Sequence, residues 1–313
     1  MTTKARVLSL SFLGSRSTGE ESVAQTIQVA KPLEQELLEL LAQTVRSGEF
    51  EPPQMPHIAV RILNMSRDPA ASMRKMGTLI AQDPVLAAKV LHMANSAAFQ
   101  GADPVETIHK AMIRVGLDNL KQLIFMYAFK GQVFRSKAFQ DDMSATWRHS
   151  IAVGIAADLV ARRRGADIHL PFAAGLIHDI GRAVSINAIA MVVDKHPRLK
   201  EAGHESIMRI IDKVHGRLGG LVGSRWGLPA PLKDVLGFHH QAVIYRGKHR
   251  ELILTVGAAD WAARMVGLGY DGTKAPLTQE AASHFAHLGL TREDFDAVLG
   301  ALEKRAPSII ESI

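Results

Sequence analysis

The chain has 313 residues, 47% of them hydrophobic and 22% charged, with 37 Lys and Arg against 31 Asp and Glu for a formal charge of +6. This balance belongs to a globular chain with a sizeable core and excludes disorder throughout. The absence of cysteine excludes disulfides and thiolate metal sites, so any metal has to be held by His, Asp or Glu.

Residues 1–31 are small, polar and without period, as expected of a flexible leader. Lys31-Pro32-Leu33 opens a helix with one apolar face at Leu33, Leu37, Leu38, Leu40 and Leu41. Glu51-Pro52-Pro53-Gln54-Met55-Pro56 is an extended break. Short helices follow. Ile58, Ile62, Leu63 and Met65 recur at helical spacing, and Ser66-Arg67-Asp68-Pro69 closes that element. Ser72 is placed to cap the next, with Met76, Leu79 and Ile80 as its buried stripe. Asp83-Pro84 caps and starts another, which ends at Asn95-Ser96-Ala97, where Asn95 is a helix-terminating or network residue. A helix over Val105 to Val115 is halted by Gly116, and one from Leu117 runs through Phe129. Residues 32–140 thus form an N-terminal helical subdomain without a nucleophile motif, a phosphate loop or a dinucleotide fingerprint.

From Asp141 the character changes. Trp147-Arg148-His149-Ser150 enters an Ala- and Val-rich helix to Val160, suited to the centre of a bundle because small residues let helices approach closely. Arg162-Arg163-Arg164 is the densest basic cluster, but it sits where cations complement a helix C-terminus. With three Tyr and three Trp to stack bases, nucleic acid is not an expected partner despite the positive charge. Phe172 to Ile180 is the central helix and carries His178 and Asp179 near its C-terminal end; Asp194 to Glu205 reads as a surface loop. Glycines at 216, 219, 220 and 223 fall on one side of a helix, which points to tight helix packing rather than a phosphate cradle. Leu232, Val235 and Leu236 lead to His239-His240, which face one cavity only if the helix end abuts it. Leu252 to Met265 carries Asp260, and Gly267 to Pro276 is a loop. Two amphipathic helices, Gln279 to Leu288 and Glu293 to Arg305, finish residues 271–313 as surface or capping elements. No run of eighteen apolar residues occurs, so no membrane span and a cytoplasmic chain are expected.

His178 and Asp179 form an adjacent imidazole and carboxylate that are costly to bury unless partnered. His149, His215, His239, His240 and Asp260 are the candidate partners. Together they offer seven nitrogen and oxygen donors for one or two divalent ions, imidazole suiting Zn, Fe, Ni or Cu and carboxylate suiting Mg or Mn. The same seven groups also suit a metal-free, hydrogen-bonded polar core. The other histidines read as surface or packing residues.

The chain resembles the HDOD family, a relative of the HD phosphohydrolases, over roughly residues 50 to 265. In the first half the likeness rests on Met55-Pro56, on Ile80 to Leu86, on Asn95-Ser96-Ala97 and on Ala111 to Leu117. In the second half it rests on Trp147 to Ser150, Gly175 to Gly181, Trp226-Gly227-Leu228-Pro229 and His239-His240. The resemblance implies an all-α multi-helix bundle, in which the N-terminal subdomain packs on an HD-like core over 141–270, and a role in signal transduction toward partner proteins. In the wider HD superfamily a His, a His-Asp pair and a distal Asp are metal ligands, and His149, His178, Asp179 and Asp260 match that order. The cyclic-dinucleotide phosphodiesterase branch adds ligands to which His215 and His239-His240 are similar, with a bridging water as nucleophile. Two departures separate the chain from that branch: the Gly-Tyr-Pro signature is absent, and Arg182, a candidate phosphate contact, stands where the branch has lysine. Two functions are therefore expected to compete, a regulatory module that binds metal or nucleotide without turnover and a metal-dependent phosphohydrolase of nucleotides.

Overall fold

The computed structural model describes residues 32–65, 69–96, 99, 101, 103–166 and 170–313. Among these the regular structure is helical, with no strand. In chain order the helices are α1 Leu33–Arg46, α2 His57–Leu63, α3 Pro69–Ala81, α4 Pro84–Ala94, α5 Ile108–Val115, α6 Leu117–Gln132 and α7 Gln140–Arg163. They continue as α8 Pro171–Ile177, α9 Ile180–Lys195, α10 His204–Arg225, α11 Ala230–Phe238, α12 Arg250–Met265, α13 Gln279–His287 and α14 Arg292–Ser312. The expected leader over 1–31 and the closing Ser66-Arg67-Asp68, with Ala97 and His169, lie outside the described residues.

Local chemistry explains most boundaries. Asp83 caps α4 by accepting from the Val85 and Leu86 amides at 2.9 and 3.1 Å, with Pro84 at the first helical position, an arrangement worth about 1 kcal/mol. Asn95 ends α4 and ties it to the following loop: its amide donates to the Leu91 and Val105 carbonyls, and its oxygen accepts from the Val105 amide at 2.7 Å. Ser72 is not a cap. It lies inside α3, which begins at Pro69, and its side chain is buried. The helix read from Val105 begins only at Ile108, where Thr107 accepts from the Lys110 amide.

The small-residue pattern dictates the packing around α7. A Cβ on Gly175 would lie 2.6 Å from the Val153 carbonyl oxygen, so α8 rests directly on the backbone of α7. A Cβ on Gly181 would lie 1.9 Å from the His215 carbonyl oxygen, so α9 touches α10 in the same way. α12 packs on both α7 and α8, and α11 closes against α10. α1 does not stay with its neighbours in sequence but packs on α9 and α10. α14, expected as a surface or capping element, contributes a buried face to the core. It packs on α7 and α12 with Phe295, Val298, Leu302, Ala306 and Ile309 buried, and it runs on through Pro307 to Ser312.

The central helix expected over Phe172 to Ile180 is two helices. α8 stops at Ile177 and α9 starts at Ile180, leaving His178 and Asp179 at the joint. The stretch Pro171–Lys195 is long and apolar enough by composition to cross a membrane, but 83% of its most apolar window is buried inside the fold. The segment read as a surface loop over 194–205 contains a 3-10 turn, Pro197–Ala202, with Leu199 buried.

Candidate metal centre

Five separate pieces of chain bring the seven predicted donors together. α7 contributes His149, the α8–α9 joint His178 and Asp179, α10 His215, the end of α11 His239 and His240, and α12 Asp260. The two adjacent histidines share the cavity because α11 ends at Phe238 and tightens into a 3-10 turn over His239–Gln241. The ligand-capable atoms fall into two groups, one of Asp179, His215, His239 and His240 and one of His149, His178 and Asp260, each lying within 4.8 Å of one another.

Ring orientation is set by the backbone. The Nδ1 atoms of His149, His178, His215 and His239 lie 2.8, 2.7, 3.1 and 3.0 Å from the carbonyl oxygens of Leu268, Gly175, Ile211 and Val235. A carbonyl can only accept, so each Nδ1 carries a proton and donates it, which turns the four Nε2 atoms inward. Metal-ligating histidines show this second interaction almost without exception. His215 Nε2 and His240 Nε2 are 2.7 Å apart, so without a cation His240 is the donor of that pair.

Charge completes the picture. Asp260 accepts a two-point interaction from Arg264, one turn away, at 2.9 Å on each oxygen. Its other neighbour, His149 Nε2, is 3.0 Å from Oδ1. Asp179 makes no ion pair with an arginine among the described residues; its neighbours are His239 Nε2 at 3.2 Å, His215 Nε2 at 3.5 Å and His178 Nε2 at 3.6 Å. Burial would raise both carboxyls, but the imidazoles around Asp179, and His149 with Arg264 around Asp260, outweigh it and hold both below the ordinary carboxylate range. Burial pushes His178 down to about 4, against the pull of Asp179. His240 is pushed down to about 3, because the inner edge that bears Nε2 is desolvated even though its outer edge is exposed, and because His239 is beside it. Burial opposes a charge on His239, but Asp179 prevails and its pKa is raised.

Several of these contacts are close without being aligned. His149 Nε2, His239 Nε2 and Asp179 Oδ1 are buried with no hydrogen bond, although they lie at ion-pair distance from their neighbours. Protein interiors rarely tolerate three orphaned polar atoms in one cluster. A divalent cation answers all of them at once, and an imidazole and carboxylate donor set without sulfur suits Fe, Mn, Zn or Ni. The residues fit a metal centre.

Three further groups, which the sequence reading missed, shape the site. Arg264 holds Asp260, and its spacing of four residues was legible. The Leu268 carbonyl, which orients His149, carries no side-chain signal at all. Tyr270 packs its ring on His149 with centroids 4.5 Å apart, and the Arg182 guanidinium lies over that ring at 4.0 Å. Arg182 also pairs with Asp212, so two of its interactions are already committed within the protein. The four histidines with fixed rings, both carboxylates and Arg182 are all buried; His240 is the one exposed member of the donor set.

The family model of the HDOD domain matches residues 53–242. An HDOD domain protein of unknown function from Geobacter sulfurreducens is 26% identical and superposes with a TM-score of 0.64, covering 88% of this chain and 97% of its own. A protein from Shewanella amazonensis SB2B, whose name classes it provisionally as a metal-dependent phosphohydrolase, shares the fold at 23% identity with a TM-score of 0.66, over 90% of this chain and 99% of its own. An uncharacterized protein of Treponema pallidum (strain Nichols) is 26% identical over 233 residues, which are 72% of this chain. The chain spans about half the length of that curated relative, 45%. Family match and all-helical fold agree, and the chain belongs to the HDOD domain family.

Proposed function

We propose that this protein is a signalling module whose HD-like centre holds one or two divalent metal ions in a closed site and which acts by binding partner proteins rather than by turning over a substrate. The observation that carries the reading is the pairing of a seven-residue donor set with its burial. Six of the seven donors are buried, and Tyr270 and Arg182 cover the His149 side. A centre enclosed this far leaves a substrate only the His240 edge to approach, whereas catalytic metal sites keep a ligand position open to it. His149, His178 and Asp260 would hold one ion, and Asp179 with His215, His239 and His240 a second. Arg264 keeps Asp260 ionised, the four backbone carbonyls hold the rings in the receptive tautomer, and Tyr270 excludes water. A bound cation supplies the positive charge that Asp179 otherwise finds only in protonated imidazole, so metal uptake releases a proton.

A second reading, a metal-dependent phosphohydrolase of nucleotides, is favoured by one feature, the exposed edge of His240, which gives the centre a side open to solvent. It accords with the provisional name of the Shewanella relative. Metal analysis of the purified protein, followed by a hydrolysis screen of cyclic dinucleotides and nucleotides with Mn, Fe, Mg and Zn, separates the two. The proposal expects bound metal that is lost in folded His178→Ala and Asp179→Ala variants, with no turnover. Turnover that disappears in both variants establishes the second reading instead, and wild-type protein that binds no metal removes both.

A further inference from the structure

Away from the metal centre, a cavity of about 570 Å³ opens between the N-terminal helices and the second half of the fold. α2 and α6 line one side and α7, α8 and α12 the other, and none of the seven metal donors reaches it. Its size is in the range of small-molecule sites, about 300–1,000 Å³.

The walls include two aromatic rings, Phe125 and Phe172, and the aliphatic Leu252. One polar side chain stands among them. Gln122 is 7% exposed, lines the cavity, and its carboxamide makes no hydrogen bond among the described residues. The polar atoms of the carboxamide are not among those sealed from solvent, so they face the cavity, where a ligand would bring the partner the protein does not.

The charges at the mouth say what kind of ligand. Arg162 is shared by Asp158 at 2.9 Å and Asp118 at 3.6 Å. Glu251 is paired with Arg164 and His249 with Asp234. Lys121 alone has no ion partner among the described residues. So little unbalanced charge disfavours a polyanion and favours a neutral ligand. A carboxamide presents a donor and an acceptor side by side, complementary to an N–H and C=O on one edge of a ring.

We propose that this cavity binds a flat heterocycle with a lactam edge, of the size of a nucleoside base, its faces against the aromatic walls and its edge read by Gln122. The site is independent of the metal centre and of any turnover there. Because helices of both halves line it, an occupant would bridge them.

Titration calorimetry on the full chain with inosine, guanosine and uridine tests this, with purine riboside as a control of similar shape that lacks the lactam. We expect one of the lactam nucleosides to bind at least about tenfold more tightly than purine riboside, since a site built around a hydrogen-bonding group rejects the analogue without it. Gln122→Leu is expected to abolish that preference while leaving the melting temperature unchanged or raised, because it removes an unpartnered amide. Leu252→Trp, at the partly exposed wall, is expected to block binding and keeps the proposal testable if Gln122→Leu fails to fold. His178→Ala is expected to bind as the wild type does. The proposal is overturned if no probe binds, if the preference survives Gln122→Leu, if Leu252→Trp binds normally, or if a folded Gln122→Leu melts lower and shows the amide to be structural.

Discussion

Replacing Gly181 by Ala puts a methyl group where α9 and α10 touch. The new Cβ would lie 1.9 Å from the His215 carbonyl oxygen and 2.5 Å from the Gly219 amide nitrogen, both of them backbone atoms that no rotamer change can move. Ordinary contact begins near 3.4 Å, so α10 has to withdraw by about 1.5 Å, enough to forfeit most of the dispersion energy along the contact. Overpacking of this kind costs about 1–3 kcal/mol, and two rigid backbones put it at the upper end. The better helix propensity of Ala returns up to about 1 kcal/mol. A net loss of about 2 kcal/mol lowers the melting temperature by about 3 °C, at the roughly 1.5 °C per kcal/mol that an unfolding entropy of about 2.1 cal/mol/K per residue gives for 313 residues. Because His215 rides on α10, its Nε2 retreats from Asp179, now 3.5 Å away, and metal stoichiometry should fall with stability. Gly220→Ala is the control. It lies on α10, the helix that Gly181 touches, with nothing within 4 Å of the new methyl, and it should raise stability by up to about 1 kcal/mol. Thermal melts followed by circular dichroism, with metal content measured on the same samples, read both variants. A Gly181→Ala protein that melts with the wild type and retains its metal would refute the close contact and the way it positions His215.

Arg264→Met should cost about 2–3 kcal/mol in the chelated protein, because Asp260 then keeps its buried charge with only His149 beside it, the arginine's partial exposure holding the loss below that of a fully buried pair. Added Mn should restore most of that loss if Asp260 is a ligand; denaturant titration with and without the ion decides it. Asp83→Ala should lower stability by about 1 kcal/mol at neutral pH. Burial works against the Asp83 carboxylate, but the Leu86 amide, the Tyr127 hydroxyl at 2.9 Å and the Val85 amide outweigh it and lower its pKa. The contribution of a carboxyl with a depressed folded-state pKa is complete above the unfolded value of about 3.9 and fades as pH falls through the folded one. The wild type and Asp83→Ala should therefore converge in acid, and a gap that stays constant down to pH 2 would count against this account.

How much of this was legible in the chain itself depends on whether the cause was local. The cap at Asp83, the stop at Asn95 and the ring pair at the end of α11 follow from residues within one turn, and each is where the sequence places it. The failures at Ser72 and at the start of α5 are boundary shifts of about three residues, Pro69 and Ile108 being the observed starts. The buried face of α14 was not legible because its apolar stripe looks like that of any surface helix, while its burial comes from α7 and α12, distant in the chain. The glycines of α10 divide in the same way. A Cβ on Gly219 or Gly223 would press on α11 at 3.2 and 2.7 Å, but Gly216 is at 3.9 Å and Gly220 is open, so periodicity found the face and not the contact. The seven donors were recognisable by type and order. Their supports were not, since the Leu268 carbonyl is backbone and Tyr270 sits in a stretch that reads only as a loop.

Among the four oriented rings, three lean on carbonyls three or four residues away, Gly175, Ile211 and Val235, and so are as stiff as the helical turn that bears them. His149 is different: its brace comes from Leu268, 119 positions further on, just past Gly267, whose φ of 81° marks a bend at the end of α12. A torsional change at that bend reaches His149 through a single 2.8 Å contact while the other three imidazoles stay still. By linkage, whatever stabilises the Leu268 bend strengthens the grip on a cation there, and the cation in turn stiffens the bend by the same free energy.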